Sequence, residues 1–207
     1  MMSKIAIVMV NLMMLLMIPS AFAGTAAETL QSKLSFLQSM RAGFNQVIRA
    51  KNHVVSRSSG YMALQRPGKF RWDTKTPMAQ LVIADGRRIW VYDVDLEQVT
   101  VKKQDKGLGG TPALFLGGYT QTLTRDFTVN ESKQGKQTRY DLHSKLPKDN
   151  FQRIKLAFTG NALDSIELFD QLGQHTTVQL VKVSINPKLS ASLFSFTPPK
   201  GVDVVQQ

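Results

Sequence analysis

The sequence predicts a mostly β protein of the α+β class, with about eleven antiparallel strands and one N-terminal helix. Three observations support this prediction. Only one long stretch, residues 25–40, carries apolar residues at helical spacing. Elsewhere apolar and polar residues alternate, as in FQRIKLAF at 151–158. Short turns containing Gly, Asn or Asp separate these segments, which favours strands that neighbour each other in sequence order.

The first 23 residues have the pattern of a signal peptide. Lys4 precedes an apolar run from Ile5 to Ile18, and a small-residue A-F-A site ends at Ala23. The run is short for a membrane span. We therefore expect export, cleavage after Ala23 and a single domain over 24–207; an uncleaved anchor is the alternative.

The charge and the absence of cysteine restrict the function. The formal net charge is +11 and there is no cysteine. Because an exported protein rarely meets nucleic acid, we expect contact with anionic lipid or an acidic partner; colloidal solubility is the alternative. Without cysteine there is no thiol nucleophile, no thiolate metal site and no lipidation of the chain itself.

The predicted elements follow in chain order. The helix has an apolar stripe of Leu30, Leu34 and Leu37, and we expect Gly43 to end it. The predicted strands are FNQVIRA (44–50), SSGYMALQ (58–65), KFRWD (69–73), AQLVIAD (79–85), RRIWVYD (87–93), EQVTVKK (97–103), RDFTVNES (125–132), TRYDLHS (138–144), FQRIKLAF (151–158), DSIELFD (164–170) and HTTVQLVKVSI (175–185).

One apolar strand face contains a charge. In YMALQRPGKFRW, residues 61–72, every second side chain is apolar except Arg66, so Arg66 is predicted to point inward. Pro67-Gly68 is predicted to bend the chain and to place Phe70 at the mouth of an apolar cavity. The residues expected to line that cavity and its mouth are Met62, Leu64, Phe70, Trp72, Trp90 and Tyr92.

A short apolar helix is predicted between two glycine pairs. Thr111 can cap it, Pro112 suits its first position, and Gly117-Gly118 can end it. So short a helix is stable only when packed, which suggests a hinged lid; an ordinary buried connection is the alternative. The lid residues would be Pro112, Ala113, Leu114, Phe115 and Leu116.

Signals for catalysis are weak. His53, His143 and His175 lie far apart, and nucleotide-binding or hydrolase motifs are not found. The acidic residues around Asp95 read as a hairpin turn rather than a calcium loop. We expect no enzyme activity, no cofactor and no metal. A large antiparallel sheet that closes only partly can enclose a cavity, which suggests a binding protein for an apolar ligand.

The motifs RPGKFRWDTKTP, QLVIADGRRIWVYDVDLEQVTV, GGTPALFLGG and FSFTPPKGV resemble those of the LolA family of periplasmic lipoprotein carriers. The resemblance spans the chain after the leader. It implies an incomplete antiparallel barrel covered by a lid of short helices, over a carrier domain at 24–207. It also implies that Arg66 matches an arginine that hydrogen-bonds carbonyls of the lid and latches it. The strong positive charge departs from the family pattern.

The resemblance implies a monomeric periplasmic chaperone. Such a protein would take acylated lipoproteins from an inner-membrane ABC releasing complex and pass them to the outer-membrane acceptor LolB. LolB has a similar fold but is itself a lipoprotein, a role that a chain without cysteine does not fit. A carrier of another lipid or glycolipid, a periplasmic esterase and a lipoprotein-binding sensor are the alternatives.

Overall fold

One long helix, two short helical segments and a large sheet form the fold in the computed structural model, which describes residues 24–104, 123–146 and 151–207. The helices are α1 (Ala26–Phe36), α2 (Leu123–Asp126) and a 3-10 turn (Ala191–Phe194). The strands are β1 (Ser39–Ala50), β2 (His53–Gln65), β3 (Lys69–Thr76), β4 (Gln80–Asp85), β5 (Arg88–Asp93), β6 (Gln98–Lys103), β7 (Phe127–Gln134), β8 (Gln137–Ser144), β9 (Phe151–Thr159), β10 (Ala162–Asp170), β11 (Gln174–Ile185) and β12 (Asp203–Gln206). None of these helices is long and apolar enough to span a membrane.

Helix α1 is shorter than its sequence pattern suggests. It begins with a capping box in which Thr25 and Glu28 each bind the other's backbone N–H. It ends at Phe36 because Leu37 leaves the helical conformation, with ψ at 85°. Strand β1 then runs through Gly43, so the prediction that Gly43 ends the helix is wrong.

The strands form one open sheet in the order β12-β6-β5-β4-β3-β2-β1-β11-β10-β9-β8-β7. Two antiparallel runs, β1 to β6 and β7 to β11, join where β1 pairs with β11. The predicted mostly β, incompletely closed architecture is confirmed. The sequence pattern did not reveal β12, which pairs in parallel with β6.

The hairpin turns follow local rules. Between β4 and β5, the Asp85 carboxylate accepts hydrogen bonds from the backbone N–H groups of Arg87 (2.7 Å) and Arg88 (2.8 Å). Between β2 and β3, Gly68 adopts a φ of +71°, which a side chain would disfavour. The Pro67-Gly68 and Asp85-Gly86 turns are therefore located as the sequence predicts.

Helix α1 packs on one face of the sheet, which we call the inner face. Leu30, Leu34 and Leu37 are buried in a cluster that also contains inner-face residues from both runs of strands. Thr29 donates to the Glu131 carboxylate on β7 at 2.7 Å, and the Lys33 ammonium donates to the Gly160 carbonyl at 2.6 Å. These polar contacts fix the helix over the β7–β10 part of the sheet.

Candidate functional site

The inner face of β2 and β3 is apolar. Met62 pairs with Trp72 and Leu64 pairs with Phe70, so register places all four side chains on the same face. All four are buried in the core cluster. The alternation read from residues 61–72 therefore correctly predicts which side chains face the interior.

The apolar face continues onto β1 and β4. The rings of Phe44 and Trp72 stack, with centroids 4.0 Å apart and an interplanar angle of 23°. On β4, Val82 pairs with Trp72 and Ala84 pairs with Phe70, and both are buried. Four adjacent strands thus present one continuous apolar surface.

Phe70 is a core residue. Its exposed fraction is 0 %, although it follows the bend at Pro67-Gly68 closely. The prediction that Phe70 lies at a solvent-facing mouth of the cavity is therefore wrong. The reason is that β3 begins at Lys69, so Phe70 already lies within the paired sheet, opposite Leu64.

Trp90 and Tyr92 lie on the opposite, outer face. Trp90 pairs with Ile83 and Tyr92 with Leu81, whereas the inner-face residues of β4 are Val82 and Ala84. The prediction that Trp90 and Tyr92 share the face of Trp72 is wrong. Both rings instead pack against Phe196, which follows the 3-10 turn, with centroid distances of 5.7 and 5.8 Å.

Arg66 follows the last residue of β2 and is half-buried. Its backbone N–H donates to the Gln38 carbonyl at 2.8 Å, which fixes this residue against the start of β1. Burial removes water from the guanidinium and so lowers the pKa of Arg66 from its usual value. A half-buried cation thus lies where β2 ends, and the predicted inward direction of its side chain stays a prediction.

A polar residue that the sequence pattern did not single out connects the turns around Arg66. The side-chain N–H of Gln104 donates to the Gly68 carbonyl at 2.8 Å, and its side-chain oxygen accepts from the Gly86 N–H at 3.2 Å. Gln104 therefore fixes the end of β6 to two neighbouring hairpin turns. These contacts join distant parts of the chain, so no local sequence pattern predicts them.

The predicted lid lies outside the described residues. Pro112, Ala113, Leu114, Phe115 and Leu116 all fall between residue 104 and residue 123. Described residues lie on both sides of that interval: Gln104 next to the β2–β3 turn, and α2 next to α1.

Clusters suited to metal binding are not found in the described ranges, where no three His, Cys, Asp or Glu side chains converge. The shortest contacts between charged side chains in these ranges join one basic residue to one acidic residue. The Arg153 guanidinium binds the Asp141 carboxylate through two hydrogen bonds, and His175 Nε2 lies 2.9 Å from the Glu167 carboxylate. These pairs join residues of neighbouring strands and serve the sheet.

An open sheet that is antiparallel except at β12, with a helix on its apolar inner face, is an architecture that can present an apolar binding surface. The family profile "Outer membrane lipoprotein carrier protein LolA" matches residues 35–197. The chain belongs to this family.

Relatives from other bacteria support the assignment. An outer-membrane lipoprotein carrier protein of Legionella pneumophila (strain Paris) is 62% identical over 95% of this chain and 97% of its own. A protein of the same name from Dechloromonas aromatica is 38% identical over 89% of each chain. A solved structure of an uncharacterized conserved protein from Thermus thermophilus has a TM-score of 0.57 at 12% identity, covering 88% of this chain and 100% of that one. That similarity supports the fold alone.

Proposed function

We propose that this protein is a periplasmic lipoprotein carrier. It would accept acylated lipoproteins released by an inner-membrane ABC transporter, shield their acyl chains inside the sheet and deliver them to the outer-membrane acceptor LolB. The observation that carries the proposal is the continuous apolar inner face from Phe44 to Ala84, in a chain that belongs to the LolA family. We propose no catalytic role.

The physical need for such a carrier follows from the hydrophobic effect. Each methylene exposed to water costs about 0.8 kcal/mol, so a chain of about 15 methylenes costs on the order of 12 kcal/mol. A lipoprotein carries more than one such chain. Free diffusion between two membranes is therefore excluded unless a protein covers the chains with an apolar surface.

Acyl chains can enter this interior only if something moves. In the structure, Phe70 and Trp72 are packed in the core together with Leu34 of α1. We propose that the part that moves is the lid at Pro112–Leu116, because it is the apolar sequence in the segment that joins β6 to α2. Entry of a chain would replace protein contacts with lipid contacts of similar apolar character.

We propose that Arg66 latches the lid. The support is its half-buried position beside the turn that Gln104 fixes, since Gln104 is the last described residue before the segment that contains the lid sequence. A net hydrogen bond contributes about 1 kcal/mol, and somewhat more when one partner is charged. A guanidinium with a few carbonyl partners would favour closure and still permit opening.

A release assay tests the proposal. Inner-membrane vesicles containing labelled lipoprotein are incubated with ATP and with or without this protein, and the soluble fraction is analysed. We expect lipoprotein to appear in solution only when the protein is present. Failure to solubilise any lipoprotein would contradict the proposed function. Mass spectrometry of copurified material separates the alternatives, because free lipid or glycolipid without polypeptide would indicate a different cargo.

A further inference from the structure

One end of the sheet carries exposed apolar residues in its hairpin turns. Antiparallel pairing brings the β1–β2, β3–β4, β5–β6 and β10–β11 turns to the same end. Each of these turns, or the residues beside it, includes at least one exposed large apolar side chain. The residues concerned are Val54, Val55, Met78, Val94, Leu96 and Leu172.

The opposite end is different. The described hairpin turns there, which contain Gly68, Gly86, Gly135 and Gly160, have no exposed large apolar side chain, and Pro67 is their one apolar tip residue. Turns are ordinarily polar, because they face water. Exposed apolar residues in the turns of one end make that end a candidate contact surface, and the charges beside each turn decide which turn takes part.

Two of the apolar turns adjoin each other. Ala50 at the end of β1 pairs with Gln174 at the start of β11, so the β1–β2 and β10–β11 turns lie side by side. Leu172 is 86% exposed and Val55 is 58% exposed. The Asp170 carboxylate accepts hydrogen bonds from the backbone N–H groups of Leu172 (2.9 Å) and Gln174 (2.8 Å). Leu172 is therefore held outward on an ordered turn.

Cations lie along the β1–β2 hairpin, one of these two turns. Arg49, Lys51 and Arg57 lie on or beside the β1–β2 hairpin and form no ion pair with the part of the chain that is described. We call this surface the basic corner; it consists of Arg49, Lys51, Val54, Val55, Arg57 and Leu172. The three cations outnumber the two nearby carboxylates, of which that of Asp170 binds backbone N–H groups of its turn and that of Glu167 contacts His175.

The β5–β6 turn provides an internal comparison at the same end. Leu96 is 73% exposed, similar to Leu172, but its neighbours are Asp93, Asp95 and Glu97. Carboxylates around an exposed leucine are repelled by an anionic surface. Cations around an exposed leucine are attracted to such a surface. The two leucines therefore separate the effect of apolar exposure from the effect of charge.

We propose that the basic corner docks the protein on the surface of an anionic phospholipid bilayer. Exposed aliphatic side chains flanked by Lys and Arg are the combination that binds a membrane interface: the apolar groups enter the acyl boundary and the cations contact lipid phosphates. A single small patch of this kind gives weak, reversible attachment. Such attachment suits a protein that visits a membrane and leaves it.

Docking of this kind goes beyond lipoprotein carriage and is measured without any lipoprotein. The test is cosedimentation of the signal-free protein with vesicles of phosphatidylglycerol and phosphatidylethanolamine at low salt, compared with vesicles of phosphatidylcholine alone. We expect binding to the anionic vesicles that falls as salt is raised. Leu172→Ser should lower the vesicle partition coefficient on the order of tenfold, and Lys51→Glu should lower it further.

Leu96→Ser is the matched control, since it removes a similarly exposed leucine from the acidic turn. We expect it to bind anionic vesicles as the parent protein does. Three results would overturn the proposal: no binding of the parent protein to anionic vesicles, an equal loss in Leu96→Ser and Leu172→Ser, or binding only to vesicles that contain inner-membrane proteins. The last result would indicate a protein partner at this surface instead.

Discussion

The rings of Phe44 and Trp72 stack with centroids 4.0 Å apart although β2 lies between their strands. Gly60 is the β2 residue paired with Phe44, and it has no side chain to separate the rings. The register of β2 and β3 shifts at this point, between Ser59 and Gly60. The contact therefore depends on a glycine in the middle of a central strand, where glycine is ordinarily unfavourable.

We expect Gly60→Ala to destabilise the protein by about 2–4 kcal/mol. A Cβ at this position would lie 2.0 Å from the Asp73 backbone carbonyl oxygen, so β2 and β3 must move apart. Urea denaturation measures the change in free energy of unfolding. Gly160→Ala is the control: its Cβ meets nothing within 4 Å, and only its φ of +60° imposes a cost, about 1 kcal/mol. Equal losses in the two variants would contradict the steric argument.

Phe70→Glu should abolish or severely weaken folding. The side chain is fully buried, so the substitution places a carboxylate in an apolar site and removes an aromatic ring. We expect a loss of more than about 3 kcal/mol, and therefore a decrease in Tm of roughly ten degrees or more. Tyr61→Glu, at an exposed position of β2, should change the Tm little. A Tm within a few degrees of the parent for Phe70→Glu would mean that this site opens to water readily.

Arg66→Leu should retain the fold, since it places an apolar side chain beside an apolar surface and removes a half-buried charge. If Arg66 is the latch, the variant will accept lipoprotein in the release assay but transfer it poorly to the acceptor. Arg66→Lys keeps the charge without the planar guanidinium and should show an intermediate defect. Transfer at the parent rate by Arg66→Leu, with its fold confirmed by circular dichroism, would remove Arg66 from the mechanism.

The Asp141–Arg153 pair predicts a pH dependence of stability. The hydrogen bond from the Arg153 guanidinium lowers the pKa of Asp141, and partial burial of the carboxyl opposes this effect. A lowered folded-state pKa stabilises the fold above the unfolded pKa of about 4 and loses that contribution as the pH falls through the folded value. Both groups are partly exposed, so we expect at most about 1 kcal/mol.

Asp141→Asn tests this dependence through urea denaturation at several pH values. The variant should be less stable than the parent at pH 7, and the difference should shrink as the pH falls below about 4. A constant difference between Asp141→Asn and the parent across the pH range would show that the charge of Asp141 does not matter.

Local patterns predict much of the order of strands along the chain. The predictions that failed share one cause, which is that they depend on contacts between residues distant in sequence. Residues 61–72 alternate clearly, so the inner face of β2 and β3 follows from sequence. Around Trp90 every residue from Ile89 to Tyr92 is apolar, so alternation cannot tell one face from the other. The outer face is apolar there because Phe196 covers it, a contact between residues more than 100 positions apart.

The candidate site also combines features that follow from local sequence patterns with features that depend on contacts between distant residues. The half-burial of Arg66 agrees with its parity in the sequence, whereas the inward direction of its side chain stays a prediction. The burial of Phe70 depends on packing against Leu64 and Ala84 across two strand pairs, and the Gln104 contacts depend on two separate turns. Strand β12 has no apolar alternation that faces a core; it exists because β6 offers a free edge for pairing.

The pairing of β1 with β11 has a consequence for how the chain folds. Arg49 pairs with His175, so β1, the first strand to be synthesised, can complete its pairing only after β11, one of the last strands, has been synthesised. Until then β1 keeps an open backbone edge, and the loop-closure entropy of so long a separation slows completion of the sheet. A slow final step leaves the new chain incompletely folded for longer, and the proposed periplasmic function would benefit from this, because a chain is exported more readily before its sheet is complete.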